Sequence, residues 1–559
     1  SPRPASQRAA ALVLTAAMLT TFTAPAFAGT WYIEDGDITI SAGESGNNVT
    51  QNENTTVNDH DTIITNREEG ASSHTVTIDA KDKDDKVEVT LKDVNIDASS
   101  RNEAAVSVTG KGDTTIELDG DNELQGGDRH AGLEHNQTVD GEGNVTSGKL
   151  TIQDDNDNAG SLTATGGYFG AGIGGGSAKA GQVTITGGTI TAISGDGAGI
   201  GGGQGNMGSN AGNADIEISG GTIEATGGYT SAGIGGGYYG DATIKITGDA
   251  VIKNATGGTF GAGIGGGGGG NGDVTISGNA KIENAQGGYT GSGIGGGYGA
   301  SGTVTIKDDS TVTATGGEAG AGIGGGVGGL ADITIEGNAT VNATGGVGSA
   351  GIGGGYDAED DDDGTGNKIT IKSNESGAPT VNATGGDSSI DEETEEKIPG
   401  GAGIGSGVGD AKANITLEGK VTITATAGKD NVAIGANGIE QEFSGLAEGS
   451  SITRYDSEGN DTSLPGDKVP VTPIVPEDTS SGGSADASVQ ESVFPGLVVT
   501  DKDGQRISYT STQSGNTLTV CAGRFTASLR VSLATLRQLR AEGIDTITFQ
   551  TILCSTTLS

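Results

Sequence analysis

The chain has 559 residues, of which 108 are glycine, and its 30 basic and 73 acidic side chains give a formal net charge of −43. This acidity argues against sequence-independent nucleic-acid binding and against docking on anionic lipid, because both need a basic surface. Glycine interrupts every segment without the every-third spacing of collagen, which excludes a collagen triple helix, a helical bundle and a coiled coil.

Residues 1–28 are predicted to be a secretory signal peptide. Arg3 and Arg8 form a short basic region, residues 9–22 are apolar and uncharged, and a small-residue cleavage site ends at Ala28. The apolar run is too short to span a membrane comfortably, and the alternative is a buried helix of the mature fold. We therefore expect an extracellular or cell-surface protein with no inserted segment.

A glycine-rich phrase around one aliphatic residue recurs along the chain, and the copy at residues 261–267 has the sequence Gly-Ala-Gly-Ile-Gly-Gly-Gly. Most copies are separated by close to 30 residues, a period that indicates a solenoid. The central aliphatic residues are Val106, Leu133, Ile173, Ile200, Ile234, Ile264, Ile294, Ile323, Ile352, Ile404 and Ile434.

Each repeat contains three short segments of alternating apolar and polar residues, as at 274–276, 280–282 and 292–294. Alternation with period two places one face of each segment inwards, and Gly-Asn, Gly-Gly and Asp-Ser pairs supply the corners. The pattern predicts an all-β fold, a parallel β-helix of about eleven coils. Residues 29–130 would form the N-terminal cap and first coils, and residues 131–442 the glycine-rich coils.

The glycine phrases carry almost no side chain beyond their central aliphatic residue. Glycine there allows tight corners and positive φ angles. We therefore expect a smooth, bare glycine face along the solenoid.

Two further regions follow the repeats. Residues 443–495 are rich in Ser, Gly, Asp and Pro, which predicts an acidic linker. Residues 496–559 are predicted to form a small C-terminal α+β module, with a strand at 517–520 and a helix capped by Ser532. The chain ends soon after a strand, so this module is expected to be truncated.

Cys521 and Cys554 are the only cysteines. In an exported protein a single disulfide between them is expected, and two free buried thiols are the alternative.

The repeats resemble those of a known group of proteins. Residues 165–176, with Thr-Gly-Gly before Gly-Ala-Gly-Ile-Gly-Gly-Gly, and residues 115–122, Thr-Ile-Glu-Leu-Asp-Gly-Asp-Asn, are similar to segments of secreted glycine-rich repeat proteins of Gram-positive bacteria. These proteins are commonly labelled as carbohydrate-binding-domain proteins. The resemblance covers about residues 29–440 and implies a right-handed parallel β-helix of the pectate-lyase-like type, displayed outside the cell.

No catalytic residues are predicted. β-Helix lyases need an Arg or Lys base beside a Ca²⁺-polarised carboxylate, and hydrolases need clustered carboxylates. Residues 131–453 contain no Arg, Trp or Cys, and His135 is their only His. Asp154 and Asp155 form an adjacent pair, as in some pectin hydrolases, but the companion phrases of those enzymes are missing.

One acidic segment is a candidate cation site. Glu359, Asp361 and Asp363 precede Gly364 with the alternation of a Ca²⁺-binding loop, although Thr370 stands where such a loop has Glu. The sequence therefore predicts Ca²⁺ or another hard cation as the only possible cofactor. The alternative is a solvated charged loop.

Tyrosines recur at fixed distances from the central aliphatic residues. Three lie five residues before such a residue and three lie four residues after one: Tyr168, Tyr229 and Tyr289, then Tyr238, Tyr298 and Tyr356. Phe169 and Phe260 sit one step from the position of the first set, four residues before their central Ile. Two aromatic stripes are thus predicted to flank the glycine face, where sugars could stack on the rings. The alternative is that the tyrosines only pack on the corners.

Taken together, the sequence predicts a secreted, monomeric, non-enzymatic rod that binds an extracellular polysaccharide or a host or cell-wall glycan, or acts as an adhesin. One alternative is a spacer or stalk without a ligand, and another is a polysaccharide lyase or hydrolase. A fourth class, ice or mineral binding, would need continuous Thr-x-Thr ladders. Those at residues 189–191 and 311–313 are interrupted around Lys281.

Overall fold

A computed structural model describes residues 27–470, except 157, 207–211, 362–363 and 391–396, and residues 497–558, except 501–506, 508, 515, 523–526, 532, 542 and 552–554. The chain divides into two compact units, one ending at Pro470 and the other beginning at Val471. All of the predicted signal peptide except Phe27 and Ala28 lies outside the described residues.

The first unit is a parallel β-solenoid, which confirms the predicted fold class. Equivalent strands of successive coils pair in register and form three ladders. The ladder that carries the central aliphatic residues, here called the isoleucine ladder, comprises Ile38–Ala42, Val76–Ala80, Val106–Gly110, Leu133–His135, Ile173–Gly174, Ile200–Gly201, Ile234–Gly235, Ile264–Gly265, Ile294–Gly295, Ile323–Gly324, Ile352–Gly353, Ile404–Gly405 and Ile434–Ala436.

All eleven predicted positions of the isoleucine ladder are therefore in register, from Val106 to Ile434. The ladder continues by two further rungs towards the N-terminus, through Val76 to Ile38. The predicted count of eleven coils was too low because these first coils lack the glycine phrase.

The second ladder follows the isoleucine ladder in each glycine-rich coil. It comprises Phe27–Tyr32, Asn54–Thr65, Lys86–Lys92, the first half of Asp113–Gln125, Leu150–Gln153, Gly181–Ile185, Ala214–Ile218, Ala242–Ile246, Gly272–Ile276, Gly302–Ile306, Ala331–Glu336, Asn367–Lys372 and Ala413–Glu418. Its inward residues, such as Ile246 and Ile276, are fully buried.

The third ladder, here called the alanine ladder, points a column of alanines inwards from Ala164 to Ala425. It comprises Asn95–Asp97, the second half of Asp113–Gln125, Gly160–Thr165, Thr189–Ile193, Thr222–Thr226, Val251–Thr256, Lys281–Gln286, Thr311–Thr315, Thr340–Thr344, Thr380–Thr384, Thr422–Thr426 and Ser451–Tyr455. One continuous apolar core fills the space between the three ladders.

The N-terminal end of the solenoid is built differently from its middle. Asn47–Gln51 pairs antiparallel with both Ile38–Ala42 and Asn54–Thr65, and a 3-10 turn covers Ile33–Asp35. Trp31 packs against the core and donates its indole N–H to Asp59 Oδ2 at 2.9 Å. The hydrogen bond satisfies a carboxylate that is almost fully buried.

The C-terminal end of the solenoid corrects the predicted linker boundary at residue 443. Residues 443–470 belong to the first unit, and Ser451–Tyr455 pairs with Thr422–Thr426 as the last rung of the alanine ladder. A short antiparallel pair, Ile434–Ala436 with Ile439–Glu440, ends the isoleucine ladder. Residues 471–496 lie outside the described part of the chain.

The second unit contains a four-stranded sheet of Thr510–Ser514, Thr517–Cys521, Thr546–Gln550 and Ser555–Leu558. A separate antiparallel pair joins Leu497–Thr500 to Ser528–Val531, and the helix described in this unit is Leu533–Ala541. The core of this second unit includes Leu518, Val520, Leu539 and Ile547.

The first unit also contains a small antiparallel pair of strands, Ser389–Ile390 with Lys397–Ile398.

Candidate functional site

The glycine phrases fold inwards rather than forming an outer face. In one copy the Ala262 N–H donates to the Gly266 carbonyl at 3.0 Å, which closes a tight loop with the buried Ile264 at its apex. Residues 261–267 are all buried. The same bond closes eight phrases, from residue 171 to 175, 198 to 202, 232 to 236, 262 to 266, 292 to 296, 321 to 325, 350 to 354 and 402 to 406. The expectation of a smooth, bare glycine face is therefore wrong.

Close contact between successive coils explains why these positions are glycine. Gly265 has φ +142°, and a Cβ there would lie 1.9 Å from the carbonyl oxygen of Gly295 in the next coil. A Cβ on Gly295 would likewise lie 2.1 Å from the carbonyl oxygen of Gly324 in the following coil. The glycines are thus required by backbone packing, and their repetition is no evidence of a ligand surface.

The inward fold brings the two predicted aromatic stripes together. The residue four positions after a ladder Ile hydrogen-bonds through its backbone to the residue four positions before the ladder Ile of the preceding coil. These two residues therefore lie side by side. Tyr298 N–H donates to the Phe260 carbonyl and Gly268 N–H to the Thr230 carbonyl, both at 2.8 Å. We call the resulting single line the aromatic rim, which consists of Tyr168, Phe169, Tyr229, Tyr238, Tyr239, Phe260, Tyr289, Tyr298 and Tyr356.

Three rings from three successive coils form the centre of the rim. The Phe260 ring centroid lies 5.3 Å from that of Tyr229 and 5.7 Å from that of Tyr298, with interplanar angles of 85° and 65°. Edge-to-face pairs at this distance are favourable. Tyr229 and Tyr298 are nevertheless 56% and 50% exposed. Corner packing alone therefore leaves half of each tyrosine in solvent.

The remaining rim tyrosines differ in exposure. Tyr168 contacts Phe169 edge-on at 4.7 Å and is 57% exposed, and Tyr289 is 53% exposed. Tyr356 is half-buried, with its ring edge over Gly348.

Tyr238 and Tyr239 form a pair of half-buried rings on the rim. The Tyr238 hydroxyl donates to the Tyr239 hydroxyl at 3.1 Å, and this hydrogen bond raises the pKa of Tyr238. Tyr239 was not predicted from the sequence, because it follows Ile234 by five residues and no other tyrosine has this spacing from a ladder residue.

A buried carboxylate, Asp196, is hydrogen-bonded beside the rim. Asp196 is 5% exposed and accepts hydrogen bonds from the Thr230 backbone N–H at 3.1 Å, from its hydroxyl at 3.0 Å, and from Gln204 Nε2. Burial raises the pKa of Asp196. At the N-terminal end of the rim a cation is present, since the Arg129 guanidinium lies 5.8 Å from the Phe169 ring centroid.

The predicted cation loop already contains a protein cation. The Lys412 ammonium donates to Asp360 Oδ2 at 2.6 Å and to the Gly364 carbonyl at 3.4 Å. Glu359 and Asp361 are exposed, and Asp363 lies outside the described residues. In the described part of the chain no group of three His, Cys, Asp or Glu side chains is arranged to hold a metal. Calcium binding by this loop stays a prediction.

The other candidate residues have structural partners. Asp154 Oδ2 accepts from the Gly160 N–H at 3.2 Å, and the Asp155 N–H donates to Glu117 Oε1 at 3.0 Å. Both aspartates therefore belong to a hydrogen-bonded turn. His135 is buried between two backbone carbonyls, and its burial lowers its pKa.

A polar cleft of about 330 Å³ lies on the second ladder near the N-terminus. It is lined by two lysines, three carboxylates and one histidine: Lys86, Lys149, Asp59, Glu88, Asp113 and His60. Lys149 forms an ion pair with Glu217 at 3.2 Å. This cleft could not be predicted from the sequence, because its residues come from four separate strands and one hairpin.

Cys521 donates its thiol to Gln550 Oε1 at 3.1 Å. Cys554 lies outside the described residues, so the disulfide stays a prediction. Of the helices that the structure describes, none has both the length and the apolar character to cross a membrane.

Comparison with known proteins supports the architecture. Five segments match the family model of the β-helix repeat: residues 158–177, 183–204, 216–238, 304–327 and 333–356. Each match includes one rung of the isoleucine ladder. No curated protein and no solved structure matches the chain significantly. The chain is thus similar to parallel β-helix repeat proteins, and its function has to be argued from its surface.

Proposed function

We propose that this protein is an extracellular, non-enzymatic rod that binds carbohydrate, or adheres to a glycan-bearing surface, through its aromatic rim. The observation that carries the proposal is the group formed by Tyr229, Phe260 and Tyr298. Its rings come from three successive coils, contact one another, and keep about half of each tyrosine in solvent.

The chemistry of these rings suits a sugar. A tyrosine offers an apolar ring face to the C–H groups of a pyranose and a hydroxyl that can hydrogen-bond. It is therefore suited to bind a sugar at a surface that is partly exposed to solvent. Exposed apolar groups arranged in one line mark an interaction site more often than scattered ones do. Because the coils repeat at about 4.8 Å, the rim offers similar contacts along the rod.

The test is a glycan array of plant, host and microbial sugars probed with the full chain, with Ca²⁺ and with a chelator. We expect specific binding that is lost in Tyr229→Ala/Tyr289→Ala. Tyr32→Ala, outside the rim, is the matched control and should bind as the parent does. Absence of binding in both buffers would contradict the proposal and favour a spacer or stalk without a ligand.

A polysaccharide lyase or hydrolase is the second candidate, and the polar cleft favours it. Lysines stand beside carboxylates there, as a lyase needs, and the carboxylates are clustered on one face of the solenoid, as a hydrolase needs. The full chain would be incubated with neutral and uronate polysaccharides while new reducing ends and unsaturated products are measured. Turnover lost in Glu88→Gln would establish this function; no turnover on any substrate would remove it.

A further inference from the structure

We infer that the rim's ligand is an uncharged, linear polysaccharide that lies along the rod axis. The inference rests on the proposed function, because it specifies the class of glycan and the direction in which it binds. Three features of the rim support it: the charges near its centre, the state of its polar groups, and the succession of its rings.

The first feature is electrostatic. The whole chain has a net charge of −43, yet residues 227–240, 257–270 and 287–300, which carry the central rings on both sides of their ladder Ile, contain no charged side chain. A uronate or sulfated glycan would therefore meet a repulsive field with no local cation to offset it. Carboxylates and sulfates are normally recognised by Arg or Lys. A cation close to a rim ring is present at the N-terminal end of the rim, at Arg129.

The second feature is that hydroxyls beside the central rings already have partners. The Thr230 hydroxyl donates to Asp196 Oδ1 at 3.0 Å, and the Thr290 hydroxyl donates to the Thr259 carbonyl at 3.2 Å. Both threonines are buried. The surface therefore offers mainly ring faces and edges, and affinity would come from apolar contact with pyranose C–H groups.

The third feature sets the direction of the ligand. Tyr229, Phe260 and Tyr298 belong to consecutive coils, and Tyr168 and Tyr289 lie on the same line. A chain lying across the rod would meet the rings of one coil only. A chain along the axis passes from Tyr168 to Tyr298 over five rungs of the isoleucine ladder, or about 19 Å at 4.8 Å per coil. Several sugar units would then contact rings at once.

The experiment is calorimetric titration of the full chain with linear gluco-, manno-, galacto- and xylo-hexasaccharides and with hexagalacturonate, each at low and high salt. We expect at least one neutral hexasaccharide to bind with an affinity that salt leaves unchanged, and hexagalacturonate not to bind at low salt. The matching neutral disaccharide should bind at least about tenfold more weakly, because it spans fewer rings.

Variants link the binding to the rim. Tyr229→Ala should weaken the neutral ligand about tenfold, whereas Tyr229→Phe keeps the ring and Tyr32→Ala lies outside the rim, so both should bind normally. Rim-dependent binding of hexagalacturonate without any neutral ligand would overturn this inference and leave the proposed function standing. Equal affinities for the disaccharide and hexasaccharide would overturn the axial direction. No binding of any probe would overturn both the inference and the proposed function.

Discussion

The Arg454 guanidinium forms a two-point ion pair with the Asp467 carboxylate inside the C-terminal end of the solenoid. Nε donates to Oδ2 at 2.8 Å and Nη2 to Oδ1 at 3.0 Å, and the Arg454 side chain is fully buried. A third bond joins Nη1 to Glu440, and the Phe443 ring lies 5.6 Å from the guanidinium carbon. Each of the three nitrogens of this buried cation therefore has a carboxylate partner.

Arg454 occupies the position of the alanine ladder that follows Ala425. An alanine there would leave the end of the core uncovered, because in the part of the chain that the structure describes no further coil follows Ser451–Tyr455. The long Arg454 side chain lies at this end of the core and hydrogen-bonds to Glu440 and Asp467. A solenoid needs a cap of this kind, since each of its coils buries its apolar side only against a neighbour.

Replacing Arg454 should detach this cap. Arg454→Met leaves Asp467 buried without a counter-charge, and breaking such a pair from one side typically costs about 3–5 kcal/mol. We expect faster hydrogen exchange and proteolysis in Ser451–Tyr455, while the central coils stay protected. Hydrogen-exchange mass spectrometry would measure this. Arg454→Met/Asp467→Asn should recover part of the protection, and equal protection in the single variant would contradict the role of the pair.

Gly265→Ala tests the close packing of the coils. The new methyl group would lie 1.9 Å from the Gly295 carbonyl oxygen, at a φ of +142° that an alanine rarely adopts. Strain and overpacking together predict a loss of about 2–5 kcal/mol, measured by thermal or denaturant unfolding.

Gly299→Ala is the matched control for this variant. Gly299 also has a positive φ, +69°, but a Cβ there meets nothing within 4 Å. Its cost should be the backbone strain alone, about 1 kcal/mol. Similar losses in both variants would show that the contact between coils is not what requires glycine at position 265.

The ladder positions could be predicted from the sequence, because inward aliphatic residues repeat wherever the glycine phrase repeats. The shape of the phrase could not. The spacing of tyrosines five residues before and four after Ile294 gives distances along the chain, but not the reversal that the bond from the Ser292 N–H to the Gly296 carbonyl produces. The recurring tyrosines could therefore be picked out from the sequence, while their arrangement as two stripes around a glycine face was wrong. Their role in sugar binding stays a prediction.

The C-terminal cap was missed for a different reason. Its segment is rich in Ser, Gly and Asp, a composition typical of linkers. The inward position of its strand holds Arg454, which breaks the apolar alternation that marks the other rungs. A buried arginine can be recognised only when its partners are seen, and Glu440 and Asp467 lie 14 and 13 residues away in the chain.

The predicted disulfide between Cys521 and Cys554 can be tested directly. Intact mass measured before and after reduction should differ by two hydrogens, and neither thiol should react with iodoacetamide until the protein is reduced. Closing a loop of about 30 residues would stabilise the second unit by about 3–4 kcal/mol, which reductant should remove. Alkylation of both cysteines in the unreduced, folded protein would instead establish two free thiols.

Asp37 should make the solenoid sensitive to acid. The Arg101 guanidinium donates to both of its oxygens, at 2.6 and 2.9 Å, and the Thr75 N–H donates at 2.9 Å. The bonds from Arg101 are the main reason that the pKa of Asp37 falls from 3.8 to about 2. Because the folded-state pKa lies below the unfolded value, the stabilisation is complete above about pH 4 and is lost as the pH falls towards 2.

The size of this effect is limited because half of the Asp37 side chain is exposed and the pair is screened by solvent. We expect less than about 1 kcal/mol, and less still at high salt. Unfolding free energies of the parent and of Asp37→Asn should differ most above pH 4 and converge near pH 2. Arg101→Gln should give the same convergence, since it removes the other half of the pair. A constant difference between parent and Asp37→Asn from pH 7 to pH 2 would show that the carboxylate's charge is not the source of the stability.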